Sequence, residues 1–259
     1  MRWKALVPPL LAVLCLTVAA RSYSMDEPPA RQLLLSITSG WDDSAAVVQR
    51  FERTGGKWRM VGGGMAAVVG ERGLAWDPAA PERDPRRAPK REGDRRAPAG
   101  RFPLSGAMGF ASDRSEGLSI PFRNIEPGVH CVDDPASPWY NRIVREDEIP
   151  GGSAGPWKSS ERMWLETEVY PLLLVVEYNT RPPAPGNGSC IFMHIRRGAG
   201  RPTTGCTAVA REDLEDILKW LKPEASPELV QLPMEEYRRL WREWELPPPA
   251  PARESNDIR

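Results

Sequence analysis

The chain has 259 residues, enough for one well-buried domain or at most two small ones. Its 35 lysine and arginine residues balance its 35 aspartate and glutamate residues, so no basic surplus directs the protein to nucleic acid. The 28 prolines favour strands, turns and loops over long helices.

The N-terminal segment has the features of an export signal. Arg2 and Lys4 precede an apolar run over residues 6–18, and small residues follow up to Ala20. We therefore expect residues 1–20 to be a signal peptide, cleaved after Ala20, and the mature protein to reach the periplasm or cell envelope. An uncleaved anchor is the alternative, although the apolar run is shorter than the ~20 residues of a membrane span. No stable membrane insertion is expected after cleavage.

The first part of the mature chain predicts β-structure. Residues 31–38 and 45–52 are typical of two strands joined by a turn. Residues 57–60 and 65–69 predict two more strands, and we interpret the glycine run at 62–64 as a turn between them.

A proline- and charge-rich stretch interrupts this pattern at residues 77–100, which have almost nothing apolar to bury and predict an exposed loop. An ordered pattern resumes over residues 102–110. Residues 169–178 and 190–195 are apolar and predict buried strands, with Pro171 at the start of the first.

Helical periodicity is confined to the C-terminal part. An apolar stripe with helical spacing predicts a helix over residues 211–222, formed by Leu214, Ile217, Leu218 and Leu221. Ser226-Pro227-Glu228 and Pro233 are both predicted to begin further helices. We therefore expect a mainly β domain over residues 31–222, followed by a helical extension and a polar tail over residues 223–259.

Cys206 and His194 are the residues best suited to chemistry. A thiol becomes a good nucleophile only when a base or positive potential favours the thiolate, and a histidine can be that base. His194 ends an apolar strand, and a glycine- and arginine-rich loop leads from it to Cys206. The following helix would favour a thiolate if its N-terminus pointed at the sulfur. Gly205 allows close approach of the backbone, and nearby N–H groups could stabilise an oxyanion. An inert buried thiol remains the alternative.

The other cysteines and histidine offer weaker possibilities. No C-x-x-C or H-x-x-x-H pair is present, so we expect no metal site and no cofactor. Once Cys206 is assigned, Cys131 and Cys190 could form a disulfide in an exported protein, or remain buried thiols. His130, beside Cys131 and near Asp133, could belong to a second site, although a structural role is favoured.

These motifs resemble the L,D-transpeptidase catalytic (YkuD-like) family. Its hallmark is a strand-end histidine, a loop, and then Ser/Thr-x-Gly-Cys, which His194 and Thr203-Thr204-Gly205-Cys206 match. Residues 90–102 resemble the family segment K-x-G-D-x-x-T-P-x-G-x-F, with Ala97 in place of threonine. Residues 131–141 and 177–179 are similar to a less-studied branch of the family.

The resemblance implies a β-sandwich or barrel and a ping-pong reaction on peptidoglycan stem peptides. Cys206 would attack the carbonyl of an L-residue joined to a terminal D-amino acid, form a thioester, and pass the acyl group to an amine. His194 would shuttle the proton, oriented by a backbone carbonyl near residues 196–198. With water as acceptor, the enzyme would be an L,D-carboxypeptidase. A non-catalytic protein that binds the wall through the same fold is a further alternative, although such a binder needs neither Cys206 nor His194.

Two positions depart from the family pattern. The family continues Gly-Cys-Ile-Arg, whereas Cys206 is followed by Thr207-Ala208, and Ile195 stands where a glycine usually follows the histidine. Arg196 or Arg197 would then take over part of the role of the missing arginine. We expect these two arginines to bind substrate together with the Thr203-Thr204-Gly205 segment.

Overall fold

The computed structural model describes residues 29–149 and 157–250. The predicted signal peptide and residues 251–259 of the predicted tail lie outside these ranges. No helix within the described ranges combines the length and the apolar character needed to cross a membrane.

Thirteen strands and two α-helices make up the regular structure of these residues. The strands are β1 (Gln32–Thr38), β2 (Ala45–Thr54), β3 (Lys57–Val68), β4 (Leu74–Trp76), β5 (Ala97–Gly109), β6 (Phe122–Asn124), β7 (Val129–Val132), β8 (Ile143–Arg145), β9 (Ser160–Arg162), β10 (Leu172–Val176), β11 (Phe192–Ile195), β12 (Thr207–Val209) and β13 (Glu228–Pro233). The helices are α1 (Arg211–Trp220) and α2 (Met234–Leu240).

The main sheet closes on itself. Its order is β10-β11-β12-β3-β2-β1-β13-β5-β4, and β10 pairs with β5 as well as with β11. Because this second pairing joins two distant parts of the strand order, the sheet forms a barrel-like layer around a common core. The predicted mainly β fold is confirmed.

The core fills this closed sheet and extends beneath α1. The apolar run of β1 is buried on both faces, with Leu33, Leu34 and Leu35 all 0% exposed. This matches a central strand flanked by neighbours and covered on both sides. The stripe on α1 packs against the same core, and Leu214 is fully buried as its spacing predicts.

The glycine run does not form a turn, which corrects the prediction of two strands there. β3 continues through it, and the pairing of β2 with β3 shifts register between Val48 and Arg50. β3 has more residues than β2 at this point, and Gly62, one of the extra residues, takes a left-handed φ of 71°. A bulge needs such a conformation, and glycine adopts it without steric cost.

The predicted exposed loop is shorter than 77–100. β5 begins at Ala97, and β4 pairs with its first residues in parallel. Ala97 and Ala99 are both 0% exposed. Alanine side chains are small and only weakly apolar, so alanines in a sequence do not by themselves predict a buried strand. Here they allow β4 and β5 to approach closely within the core.

The prediction of a helix beginning at Ser226 is wrong, and the main sheet extends past residue 222, the predicted end of the domain. Residues 228–233 form β13, which lies between β1 and β5 in the main sheet. Buried Glu228 is paired with Arg101 of β5 at 2.7 Å. This long-range pairing overrides the local helix-start signal. α2 does begin directly after Pro233, as predicted.

A second, small sheet has the order β8-β7-β9 and comes from the chain between β6 and β10. A disulfide joins Cys131 of β7 to Cys190, which precedes β11, with 5.9 Å between the Cα atoms. The disulfide therefore fastens the small sheet to the part of the main sheet that carries His194.

Candidate active site

Cys206 lies at the end of the loop between two parallel strands of the main sheet. β11 pairs with β12, and Thr207, the residue after Cys206, lies opposite Met193. The Cys206 side chain is buried, and its thiol donates a hydrogen bond to the Cys190 carbonyl oxygen at 3.4 Å. The backbone N–H of Phe192 donates to the same sulfur at 3.3 Å. The sulfur is thus held between two backbone groups of the segment that begins β11.

His194 is oriented by its own strand. Its Nδ1 donates to the carbonyl oxygen of Ile195 at 2.8 Å, which leaves Nε2 as the ring nitrogen that can accept a proton. The prediction placed the orienting carbonyl near residues 196–198, and the structure places it one residue earlier. The Tyr170 ring packs edge-on against the imidazole, with 5.6 Å between the ring centroids.

Both groups are neutral in the free protein. Burial raises the pKa of the Cys206 thiol to about 12, and nearby Glu161 adds to this rise, while the Phe192 N–H and Lys90 oppose it. Burial also lowers the pKa of His194 to about 4, against the opposing bond to Ile195. At neutral pH these shifts favour a protonated thiol and a neutral imidazole over a thiolate and an imidazolium.

The helix does not supply the positive potential that the sequence allowed for. β12 intervenes between Cys206 and α1, which begins only at Arg211. The N-terminus of α1 is consequently not adjacent in the chain to the sulfur. A helix dipole acts over about one turn.

A cavity of about 280 Å³ opens onto the site. Its walls include most of the residues predicted for the site: His194, Arg197, Thr203, Thr204 and Cys206. They also include residues that the sequence analysis missed: Glu161, Glu166, Val169, Tyr170, Arg201, Pro202 and Ala208. Cys206, His194 and charged groups of both signs therefore line one cavity.

Thr203 and Gly205 shape the turn that carries Cys206. The Thr203 hydroxyl donates to the Cys206 carbonyl oxygen at 2.6 Å and accepts the Gly205 N–H at 3.1 Å. A Cβ at Gly205 would lie 3.2 Å from the Arg96 carbonyl oxygen, so glycine is favoured here by close packing within the protein. The expectation that glycine here also allows close approach of a substrate stays a prediction.

The two arginines proposed for substrate binding point in different directions. Arg196 donates to the Ala66 carbonyl oxygen at 3.4 Å and does not line the cavity. Arg197 lines the cavity and forms ion pairs with Glu166 at 2.7 Å and Glu168 at 3.6 Å. Of these two arginines, only Arg197 lines the cavity.

Glu161 and Tyr170 form a hydrogen-bonded pair in the cavity wall. The Tyr170 hydroxyl donates to Glu161 Oε2 at 2.7 Å. Burial raises the pKa of Glu161 to about 7, and Asp133, Glu166 and Glu92 add to the rise. Tyr170 could have been noticed at the start of the predicted strand 169–178. Nothing local in the sequence singles out Glu161.

The segments at residues 131–141 and 177–179 hold in place the backbone that contacts the Cys206 thiol. Asn141 donates to the carbonyl oxygens of Tyr178 and Asn179 at 2.9 and 2.7 Å. Its Oδ1 accepts the Cys190 N–H at 2.9 Å. Cys190, whose carbonyl oxygen accepts the hydrogen bond from the Cys206 thiol, is therefore held in place by Asn141 and by the disulfide to Cys131.

His130 lies outside this cavity. Its ring nitrogens contact Ser160 Oγ at 2.7 Å and Glu146 Oε1 at 2.5 Å, and its ring packs against Trp157 and Trp164. These contacts join β7 and β9 to the chain after β8, so a structural role explains them. Across the described ranges, no group of three or more His, Cys, Asp and Glu side chains is arranged to hold a metal ion.

Comparison with known proteins gives one match. The family model described as the L,D-transpeptidase catalytic domain, YkuD, matches residues 44–230. Searches of curated proteins and of solved structures give no significant match. The matched range contains every residue of the cavity wall and ends within β13.

Proposed function

Because the chain belongs to the YkuD family of L,D-transpeptidase catalytic domains, we propose that it cross-links peptidoglycan stem peptides through a Cys206 thioester. Members of this family are typically cysteine-dependent L,D-transpeptidases of the cell envelope, acting on peptidoglycan peptides. The observation that carries the proposal is the shared cavity of Cys206 and His194, with Nδ1 of the histidine committed to Ile195 and Nε2 available.

In the first half of the reaction, substrate binding brings a peptide carbonyl to the sulfur. The Cys206 proton moves to His194 Nε2, and the sulfur attacks the carbonyl carbon. The C–N bond then breaks, and His194 returns the proton to the departing D-amino acid. Because burial favours the thiol over the thiolate and the neutral over the charged imidazole, this proton transfer is unfavourable in the free site, and the bound substrate has to lower its cost.

The tetrahedral intermediate carries a negative oxygen that needs hydrogen-bond donors. The Gly205 N–H is engaged by Thr203 in the free protein. We therefore assign the oxyanion to the backbone N–H of Cys206, with the Thr204 hydroxyl at the cavity wall as the second donor. Arg197, which also lines the cavity, is suited to bind a stem-peptide carboxylate.

In the second half, an amine of another stem peptide attacks the thioester carbonyl. The new C–N bond forms, the C–S bond breaks, and the thiol is restored. Water in place of the amine would yield a carboxypeptidase, and the two activities differ only in the acceptor. We place the reaction in the periplasm or cell envelope, where the predicted signal peptide of residues 1–20 would deliver the chain.

The test uses the mature protein and a tetrapeptide-stem muropeptide, with mass spectrometry following both the released D-amino acid and the cross-linked dimer. Cys206→Ser should abolish release, because a serine hydroxyl is far harder to deprotonate than a thiol. His194→Ala should reduce release by about 10²–10⁴-fold, the usual cost of losing a general base. His130→Ala is the matched control, and it should retain most of the release.

Three results would contradict the proposal. Wild-type release by Cys206→Ser would refute the nucleophile, and loss of release in His130→Ala with retention in His194→Ala would refute the base. A wild-type protein that binds peptidoglycan and releases nothing would be a wall-binding protein.

A further inference from the structure

We propose that Glu161 is a further catalytic residue, the base that takes a proton from the incoming ammonium group of the acceptor. The inference rests on the proposed function, since it assigns a role in the second half of that reaction. A primary amine in neutral solution carries an extra proton and cannot attack a thioester until it loses it. The ammonium group loses two protons in all, one before the attack and one after it, and His194 can take the second to the sulfur, so the first needs another proton acceptor in the cavity.

Glu161 has the position for this task. It lies in β9, opposite Cys131 in β7, so the disulfide from Cys131 to Cys190 ties its strand to the segment that holds Cys206. Its carboxyl group lines the same cavity as the thiol. It is close enough to Cys206 for its charge to raise the pKa of the thiol.

Glu161 also lacks the partner that would neutralise it. Among residues 29–149 and 157–250, no lysine or arginine forms an ion pair with it, whereas its neighbour Glu166 is paired with Arg197. Within the same described residues, the side chain hydrogen-bonded to Glu161 is that of Tyr170, whose hydroxyl donates to it. Negative groups of Asp133, Glu166 and Glu92 surround it. A partly buried carboxylate in such surroundings is stabilised by a cation, and an ammonium group supplies one.

The proton balance follows from this placement. The acceptor ammonium gives one proton to the Glu161 carboxylate and becomes a neutral amine. The amine nitrogen attacks the thioester carbon, and the C–S bond breaks. The second nitrogen proton passes through His194 to the sulfur, which regenerates the thiol. Protonated Glu161 finally releases its proton to solvent through the cavity, and burial, which raises the pKa of Glu161 to about 7, suits it to both steps at neutral pH.

The experiment separates the two half-reactions in the Glu161→Gln variant of the mature protein. Incubation with donor muropeptide gives the acyl-enzyme, whose formation is measured by intact mass. Two acceptors are then added in parallel: a primary alkyl amine, which is protonated at neutral pH, and hydroxylamine, which is largely neutral there. We expect acylation and hydroxylamine transfer to be no slower than in the wild type, and alkylamine transfer to fall by about 10²-fold or more.

Two further variants sharpen the result. Glu168→Gln removes a charge from an exposed neighbouring position, with the side chain 76% exposed, and should leave all three rates unchanged. Tyr170→Phe removes the hydroxyl that positions Glu161 and should shift the pH profile of alkylamine transfer without changing that of hydroxylamine transfer. Equal slowing of both acceptors in Glu161→Gln, or unchanged alkylamine transfer, would overturn the assignment. Failure of the wild-type protein to form any acyl-enzyme would instead refute the proposed function.

Discussion

Replacing Glu161 by glutamine should stabilise the fold at alkaline pH and leave it nearly unchanged in acid. The ordinary pKa of this carboxyl group is 4.5, and burial raises it to about 7 in the folded protein. Between these values the unfolded chain has lost a proton that the folded protein keeps, so folding stability falls as pH rises. Glutamine avoids this loss because it has no charge, and its side-chain oxygen still accepts the Tyr170 hydroxyl.

The pKa shift sets the size of the effect. Each pKa unit corresponds to about 1.36 kcal/mol. The rise from 4.5 to about 7 therefore gives a destabilisation of at most about 3 kcal/mol, fully developed above about pH 7. Because Glu161 is partly exposed in the cavity wall, solvent reduces this figure.

Urea unfolding followed by tryptophan fluorescence measures the difference, at about pH 4 and again at about pH 8.5. The ten tryptophans of the chain provide the signal. Glu168→Gln is the control, and its free energy of unfolding should follow that of the wild type at both pH values. A Glu161→Gln variant that differs from the wild type equally in acid and alkali would refute the argument that burial penalises the Glu161 charge.

Further predictions concern the thiols, His130 and the loop. Because burial raises the pKa of Cys206 to about 12, iodoacetamide should alkylate the native protein more slowly than a model thiol at neutral pH; faster alkylation would show a thiolate in the free site. Denatured, unreduced mature protein should titrate with one free thiol, and Cys131→Ser should lower stability by about 4 kcal/mol in urea unfolding, because the disulfide spans 59 residues. His130→Ala should keep catalytic release while losing about 1–3 kcal/mol of stability, since Ser160 and Glu146 lose their partner. Trypsin should cut the native protein first at Arg86, whose side chain is 87% exposed, and mass spectrometry of the first fragments would show whether it does.

Local sequence patterns predicted the elements whose hydrogen-bonded or packed partners lie close to them in the sequence. The strands at residues 31–38 and 45–52 form a hairpin, and the stripe at residues 211–222 forms α1. The strand-end His194, the loop and Cys206 also lie within one β11-loop-β12 unit. Because these residues are close in the sequence, both the hairpin and the proximity of His194 to Cys206 could be predicted from it.

β13 could not be found in this way because its partners are remote. Ser226-Pro227-Glu228 has the composition of a helix start, and only the place between β1 and β5 makes it a strand. The charge of Glu228 is satisfied by Arg101, which is 127 residues away. A buried acid with such a distant partner has no local signature in the sequence.

Glu161 was missed for the same reason. In the sequence it stands in a polar stretch, Ser160-Glu161-Arg162, that is typical of an exposed segment. The pairing of β9 with β7 and the disulfide of Cys131 bring it to the cavity. The small sheet therefore contributes a side chain to the site, although the His–Cys motif lies wholly in the main sheet.

Cys206 is followed by Thr207 and Ala208, so no arginine enters the cavity from this strand. Thr207 is buried, and its hydroxyl donates a hydrogen bond to Gln231 of β13 at 2.7 Å, which fixes the position of the Thr207 side chain. Ala208, in the place of the arginine, lines the cavity wall and leaves that space open. Arg197 and Arg201 come instead from the loop between β11 and β12 and face the same cavity. Glu166 forms an ion pair with Arg197, and we expect a substrate carboxylate to replace Glu166 there, which would give the loop the role of the missing arginine.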